Sequence, residues 1–273
     1  MSDSRPIGVF DSGIGGLTVV RELMHLLPNE PILYFGDTAR VPYGTKSAKV
    51  VRFFAHQDTR FLVRQNVKVV IAACHTASSV ALDDLSRSFD VPVLGVIEPG
   101  VEAALKATRN NRIGVVGTRG TVLSGTYEKK LKERREGLYV ETRACPLFVP
   151  LVEEGWLDGD VARSVVAIYL EPFKDKDIDT LILGCTHYPL LKPVIGEFLG
   201  EGICLIDSAE ETAGTMRNCL MERGLEHPGL EAPLNRFYVS DSSHHFKKMG
   251  EQFLGRKLDS VENVELESIE TNF

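Results

Sequence analysis

Lys68-Val69-Val70-Ile71-Ala72-Ala73-Cys74-His75-Thr76-Ala77-Ser78 reads as a buried strand running into a helix. Its unbroken apolar run leaves no polar face, which suits a parallel strand covered on both sides. The same arrangement returns at Asp179-Thr180-Leu181-Ile182-Leu183-Gly184-Cys185-Thr186-His187-Tyr188-Pro189. A strand that ends in cysteine therefore occurs twice.

Working outward, the echo extends along the chain. Ile7-Gly8-Val9, followed by Ser12 and Gly13, matches Ile113-Gly114-Val115, followed by Thr118 and Gly120; Val96-Ile97-Glu98 matches Leu205-Ile206-Asp207. From 7 to 113, from 74 to 185 and from 98 to 207 the offset stays at about 110 and the order is kept, the mark of two similarly folded halves. Apolar, β-branched runs at 6–10, 32–35, 68–73, 91–96, 112–116, 179–183 and 203–206 read as strands. Amphipathic stretches at 47–64, 78–89, 101–109, 124–136, 160–173 and 209–223 read as helices. This alternation predicts an α/β protein: two pseudo-symmetric α/β domains with mostly parallel sheets around a central cleft. The first domain is expected to be discontinuous, 1–98 plus 208–273, and the second to span 99–207. Strands at 237–240 and 261–266 would return to the first sheet, with the acidic tail at its edge.

The chain has 273 residues, 43% hydrophobic and 25% charged, enough to bury a sizeable core. No apolar run approaches the roughly 18 residues of a membrane span, and the opening MSDSRPIGVF carries no secretory pattern, so a cytoplasmic protein without membrane association is expected. Lys plus Arg number 31 against 38 Asp plus Glu, a formal charge of −7, so nucleic acid is not an expected partner. The basic stretch around Lys129 to Arg135 is interleaved with Glu128, Glu133 and Glu136, as on a solvated helix face.

Five cysteines, Cys74, Cys145, Cys185, Cys204 and Cys219, form an odd, spread set that reads as thiols rather than a disulfide framework. Cys74 and Cys185 end strands, where ligands gather in open parallel sheets and where a following helix N-terminus favours a thiolate. One from each half, they suit a reaction needing two opposed acid/base groups. Cys145, Cys204 and Cys219 read as small buried core residues. Cys74-His75 with Cys185-Thr186-His187 has donor types that zinc accepts, but neighbouring residues at a strand end diverge and neither CxxC nor HExxH occurs, so no metal is expected. Gly13-Ile14-Gly15-Gly16 misses the dinucleotide fingerprint, whose third glycine would fall at Thr18, and no Walker loop is present. The glycines read as a tight strand-to-helix turn that aims Asp11 and Ser12 at the cleft, where Asp11 could meet an ammonium or orient a base. Asp37 and Pro42-Tyr43-Gly44 make a second polar loop, on its own an ordinary surface turn.

Four motifs in order then stand out: 7–19 (IGVFDSGIGGLTV), 34–44 (YFGDTARVPYG), 73–78 (ACHTAS) and 183–190 (LGCTHYPL). With them nearly the whole chain resembles the glutamate racemases of the cofactor-independent aspartate/glutamate racemase family. The resemblance implies two α/β domains about a cleft, interconversion of L- and D-glutamate to supply peptidoglycan synthesis, no pyridoxal phosphate or other cofactor, and a homodimer. It implies Cys74 and Cys185 as the paired bases, Cys74 toward the D- and Cys185 toward the L-enantiomer, with Asp11 and His187 assisting. Glu153, in Val149-Pro150-Leu151-Val152-Glu153-Glu154-Gly155, matches a further assisting acid. Asp11, Ser12, Pro42, Tyr43, Gly44, His75, Thr76, Thr186 and His187 are implied to surround the substrate.

The position after Cys74 is usually Asn in that family and here is His75, a larger and titratable ring. Retained use of glutamate is the expectation; a narrowed pocket or a shifted pH response is the alternative. The rival readings are a relative acting on aspartate, a hydantoin or another α-acidic carboxylate, a binding protein of the same fold without turnover, and a zinc hydrolase.

Overall fold

The computed structural model describes residues 2–229, 233–258 and 260–265. Its strands are β1 (Ile7–Asp11), β2 (Ile32–Gly36), β3 (Val69–Ala72), β4 (Val93–Gly95), β5 (Arg112–Gly117), β6 (Tyr139–Ala144), β7 (Thr180–Gly184), β8 (Cys204–Asp207), β9 (Arg236–Val239) and β10 (Glu262–Asn263). Between them run α1 (Leu17–Leu26), α2 (Ala48–Arg64), α3 (His75–Ser88), α4 (Ile97–Ala107), α5 (Arg119–Leu123) and α6 (Thr126–Arg134). The later helices are α7 (Phe148–Glu153), α8 (Gly159–Lys174), α9 (Lys192–Leu199), α10 (Ser208–Arg223) and α11 (Ser243–Leu254).

The strands form two parallel sheets, ordered β10-β9-β2-β1-β3-β4 and β6-β5-β7-β8. The core of the first, β2-β1-β3-β4, repeats the order of the second, so the sequence echo corresponds to a repeat of topology. Every residue of β1, β3 and β7 is buried, as their continuous apolarity demands. In each sheet the strand order reverses beside the first strand, between β1 and β3 and between β5 and β7, where crossovers diverge and leave a crevice at the carboxyl ends. Cys74 lies just past β3 and Cys185 just past β7.

Several elements differ from the sequence reading. The half-buried β6 was not expected, because an edge strand with Glu141 and Arg143 among its residues carries little apolar signal. The helix expected at 124–136 is α6, and a short helix that was not expected, α5, precedes it; Gly125 takes φ +65, a left-handed conformation that separates the two. α3 begins at His75, and α4 at Ile97 with Pro99 and Gly100 in its first turn, where a missing N–H costs nothing. β9 and β10 join the first sheet as expected, but β10 is two residues long and the rest of the acidic tail lies outside the described residues. Of the three cysteines read as core, only Cys145 is buried; Cys204 is exposed at the start of edge strand β8, and Cys219 flanks the buried stripe of α10.

One buried charge ties the base of the first sheet together. Lys68 is 1% exposed, and its ammonium donates to Glu30 Oε2 at 2.5 Å, Asp3 O at 2.9 Å and Leu225 O at 2.7 Å. Glu30 Oε1 in turn accepts from the His227 N–H at 2.8 Å. The entrances to β2 and β3 and the chain leaving α10 are thus held at a single ion pair.

Candidate active site

A cavity of about 300 Å³ opens between the carboxyl ends of the two sheets. Ser12, Pro42, Tyr43, Gly44, Cys74, His75 and Thr76 reach it from the first sheet's side, and Glu153, Cys185, Thr186 and His187 from the second's. Each cysteine is 6% exposed.

The two thiols have different surroundings. Cys74 caps the N-terminus of α3, and its Sγ lies 3.6 Å from Ser12 Oγ. Burial, reinforced by the Asp11 charge, pushes the Cys74 thiol up to about 12 despite the opposing pull of the Ala77 N–H and Ser12. Cys185 Sγ lies 3.9 Å from His187 Nδ1, and His187 Nε2 lies 3.0 Å from Glu153 Oε1. Burial alone would lower the His187 imidazole, but its contacts with Cys185 and Glu153 prevail and raise it to about 10. At neutral pH the first thiol therefore keeps its proton, while the second sulfur sits beside an imidazolium.

Asp11 takes a different place from the one expected. Its carboxylate is fully buried and off the cavity wall, accepting from the Gly13 N–H at 2.9 Å and, at 3.5 Å, from Thr186 Oγ1 across the cleft. It supports the Ser12–Gly13 turn. Burial raises its pKa, against the His187 charge and the Gly13 and Gly16 N–H groups. The glycine run has a steric purpose: a Cβ at Gly15 would stand 2.2 Å from Thr186 Oγ1 and 2.5 Å from His187 Nδ1. Only bare backbone lets the first strand's turn approach the second cysteine's neighbours this closely.

The loop read as a surface turn is instead anchored in the interior. Asp37 is fully buried and pairs with Arg40 Nε at 2.7 Å, while Arg40 also reaches Asp58 at 3.0 Å. The Tyr43 hydroxyl contacts both Asp37 and Asp58, the latter at 2.8 Å, so Tyr43 offers the cavity its ring and backbone, not its hydroxyl. One phenolic proton cannot serve two carboxylates. Burial and the Asp37 charge hold the Asp58 carboxyl well above the usual range, against the pull of Arg40 and the Tyr43 hydroxyl.

His75 is 4% exposed, its ring lies 6.3 Å from that of Tyr127, and neither ring nitrogen has a hydrogen-bond partner among the described residues. Burial pushes it down to about 3, so the ring is neutral at physiological pH rather than a working titratable group. The folded pKa lies below the usual 6.5, so the unfolded chain binds the proton first and stability is lost as pH falls from 6.5 toward 3. His75→Asn is expected to flatten this slope, by up to about 2.5 kcal/mol between pH 6.5 and 4.5, as read from urea midpoints. Equal acid sensitivity in the two proteins would count against a buried neutral imidazole.

The sequence reading passed over Thr118, whose hydroxyl lies 2.9 Å from Thr76 Oγ1 across the cleft, and Thr121, 3.3 Å from the same oxygen. A signal for Thr118 was present, since the internal repeat sets it opposite Ser12. Arg119 and Pro146 also line the cavity without a motif to mark them, as do Val149 and Pro150 from the stretch that carries Glu153. Among the described residues no cluster of three or more His, Cys, Asp or Glu could hold a metal ion. Also among these residues, no helix is long and apolar enough to cross a membrane.

Paired parallel sheets, each with a strand-end thiol on one shared cavity, define an α/β protein with a two-thiol cleft. The chain belongs to the Asp/Glu/hydantoin racemase family, whose model matches residues 7–216. It is 49% identical over 264 residues to a glutamate racemase of Geobacter metallireducens, covering 97% of this chain and 98% of the relative. Among solved structures it is similar to glutamate racemase from Francisella tularensis in complex with D-glutamate, with a TM-score of 0.92 and 42% identity over 97% of this chain and 99% of that one. The Thermus thermophilus glutamate racemase in complex with β-chloro-D-alanine gives a TM-score of 0.89 and 46% identity over 98% and 99% of the two chains.

Proposed function

We propose that this chain interconverts L- and D-glutamate by proton transfer at Cα between two thiols. The observation that carries the reading is Cys74 and Cys185 lining one cavity from two sheets, one still protonated and the other beside an imidazolium. With L-glutamate, the Cys185 thiolate takes the Cα proton while the Cys74 thiol delivers its own to the opposite face; with D-glutamate the roles exchange. His187 is oriented by Glu153 and holds positive charge next to Cys185. Asp11 acts from behind through the Ser12–Gly13 turn. A proton α to a carboxylate is weakly acidic, so the carbanion needs fixed donors in a site largely closed to water. Hydroxyls of Ser12, Thr76 and Thr186, with the backbone at Tyr43 and Gly44, suit the two carboxylates, and His75 fills the wall where relatives carry Asn.

The wider setting follows from the family. The product would supply D-glutamate for peptidoglycan, and five unbridged cysteines fit a reducing, cytoplasmic compartment. A homodimer is the expected assembly, each copy built of two units, 1–98 with 208–273 and 99–207. In D2O, either glutamate enantiomer should gain deuterium at Cα and lose optical rotation, whereas aspartate should not react. Exchange of aspartate in preference to glutamate would overturn the substrate assignment.

A further inference from the structure

The proposed substrate, with two carboxylates and one ammonium, is a net anion that must enter a protein of net charge −7. Besides the two thiols, Tyr43 and His75, the ionisable side chains on the cavity wall are Glu153, His187 and Arg119. The first two are committed to each other at 3.0 Å. Arg119 is exposed, lines the same cavity, and pairs with no carboxylate among the described residues. We propose that Arg119 is the recruiting residue of the site, a cation set at the mouth to draw the substrate's carboxylates toward the two thiols. The inference rests on the anionic amino-acid substrate proposed above.

The backbone at Arg119 is held where such a charge is useful. Its neighbours Thr118 and Gly120 press against the opposite side of the cleft: a Cβ at Gly44 would stand 2.7 Å from Thr118 Cβ, and one at Gly120 would stand 2.9 Å from Thr76 Cγ2. Thr118 also accepts the Thr121 N–H at 3.2 Å and lies 2.9 Å from Thr76 Oγ1. The residue between them is thus fixed at the seam of the two halves, while its side chain has no ion-pair partner among the described residues. A positive charge there acts over about a Debye length, roughly 10 Å at 0.1 M salt, and offsets the repulsion of the acidic surface during approach.

The test uses the intact protein and two readouts. In wild type, kcat/KM for glutamate should fall with added NaCl. Arg119→Gln should lower kcat/KM about three- to tenfold at low salt, mainly through KM, and lose most of that salt dependence. Arg119→Lys should restore both, because charge rather than guanidinium shape does the recruiting. The second readout does not need turnover: the rate of Cys74 and Cys185 alkylation by anionic iodoacetate relative to neutral iodoacetamide, resolved by peptide mass spectrometry. That ratio should drop about threefold or more in Arg119→Gln and recover in Arg119→Lys. An Arg119→Gln protein with wild-type salt response and alkylation ratio, or a Lys variant as impaired as the Gln one, overturns the proposal. A shifted alkylation ratio in a protein that exchanges no glutamate would uphold the recruiting charge and refute the substrate reading.

Discussion

Cys185→Ala is expected to lower glutamate racemisation by at least about 10³-fold, and Cys74→Ala to do the same, because general acid–base groups contribute roughly 10²–10⁴ each and this reaction needs one on either face. Neither direction can proceed without both a proton acceptor and a proton donor. The two variants should nevertheless differ in a way that a loss of folding would not produce. A protein with only Cys185 retains a base on one side of Cα and should exchange deuterium into L-glutamate without inversion; one with only Cys74 should do so with D-glutamate. The unequal surroundings add a second asymmetry. His187, raised to about 10, supports the sulfur 3.9 Å away, whereas the Cys74 thiol is held up at about 12 by burial and Asp11. Retained exchange should therefore be faster in the protein that keeps Cys185. Racemisation above a tenth of wild type in either variant would remove that cysteine from the proton-transfer pair.

Lys68→Met should destabilise the fold by about 3–5 kcal/mol, the range for breaking a buried ion pair by removing one partner. The loss is larger than that of an attractive contact alone. Glu30 would be left at 5% exposure with, among the described residues, the His227 N–H as its remaining partner, and the carbonyls of Asp3 and Leu225 would lose their shared donor. Chemical denaturation should show this as a lower midpoint at unchanged cooperativity. Combining the change with Glu30→Met should recover a substantial part, since replacing both buried charges removes the orphaned one. A single variant as stable as wild type would mean that the ammonium contributes nothing net, its desolvation having offset its three bonds.

Much of the fold was legible in the chain. Continuous apolarity in 69–73 and 180–183 marked central parallel strands, and the offset repeat disclosed that two sheets share one strand order. Edge elements were harder to read. Residues 139–144 form a strand because β5 pairs with them, not because their own pattern insists on it. The short helix α5 ahead of Gly125 carries too few residues for a periodic pattern to mark it. Cys204 carries the same apolar character as Cys145, yet it is exposed, because position in the sheet rather than residue type decides what covers a strand end.

The site divides along the same line. Sequence by itself determined the α/β class and the strand-end cysteines, and family motifs singled out the residues of the cavity wall, because hydrophobic period and motif spacing are properties of near neighbours in the chain. Only the tertiary structure decided what each group can do. Asp11 stands behind the wall and meets Thr186, 175 residues away. The Tyr43 hydroxyl turns to a buried carboxylate pair, His75 is desolvated into neutrality, and Arg119 is left exposed on the cavity wall with no carboxylate partner among the described residues. Charge state and hydrogen-bond commitment depend on which distant segments exclude water from a group, and that is settled when the two sheets close around one cavity.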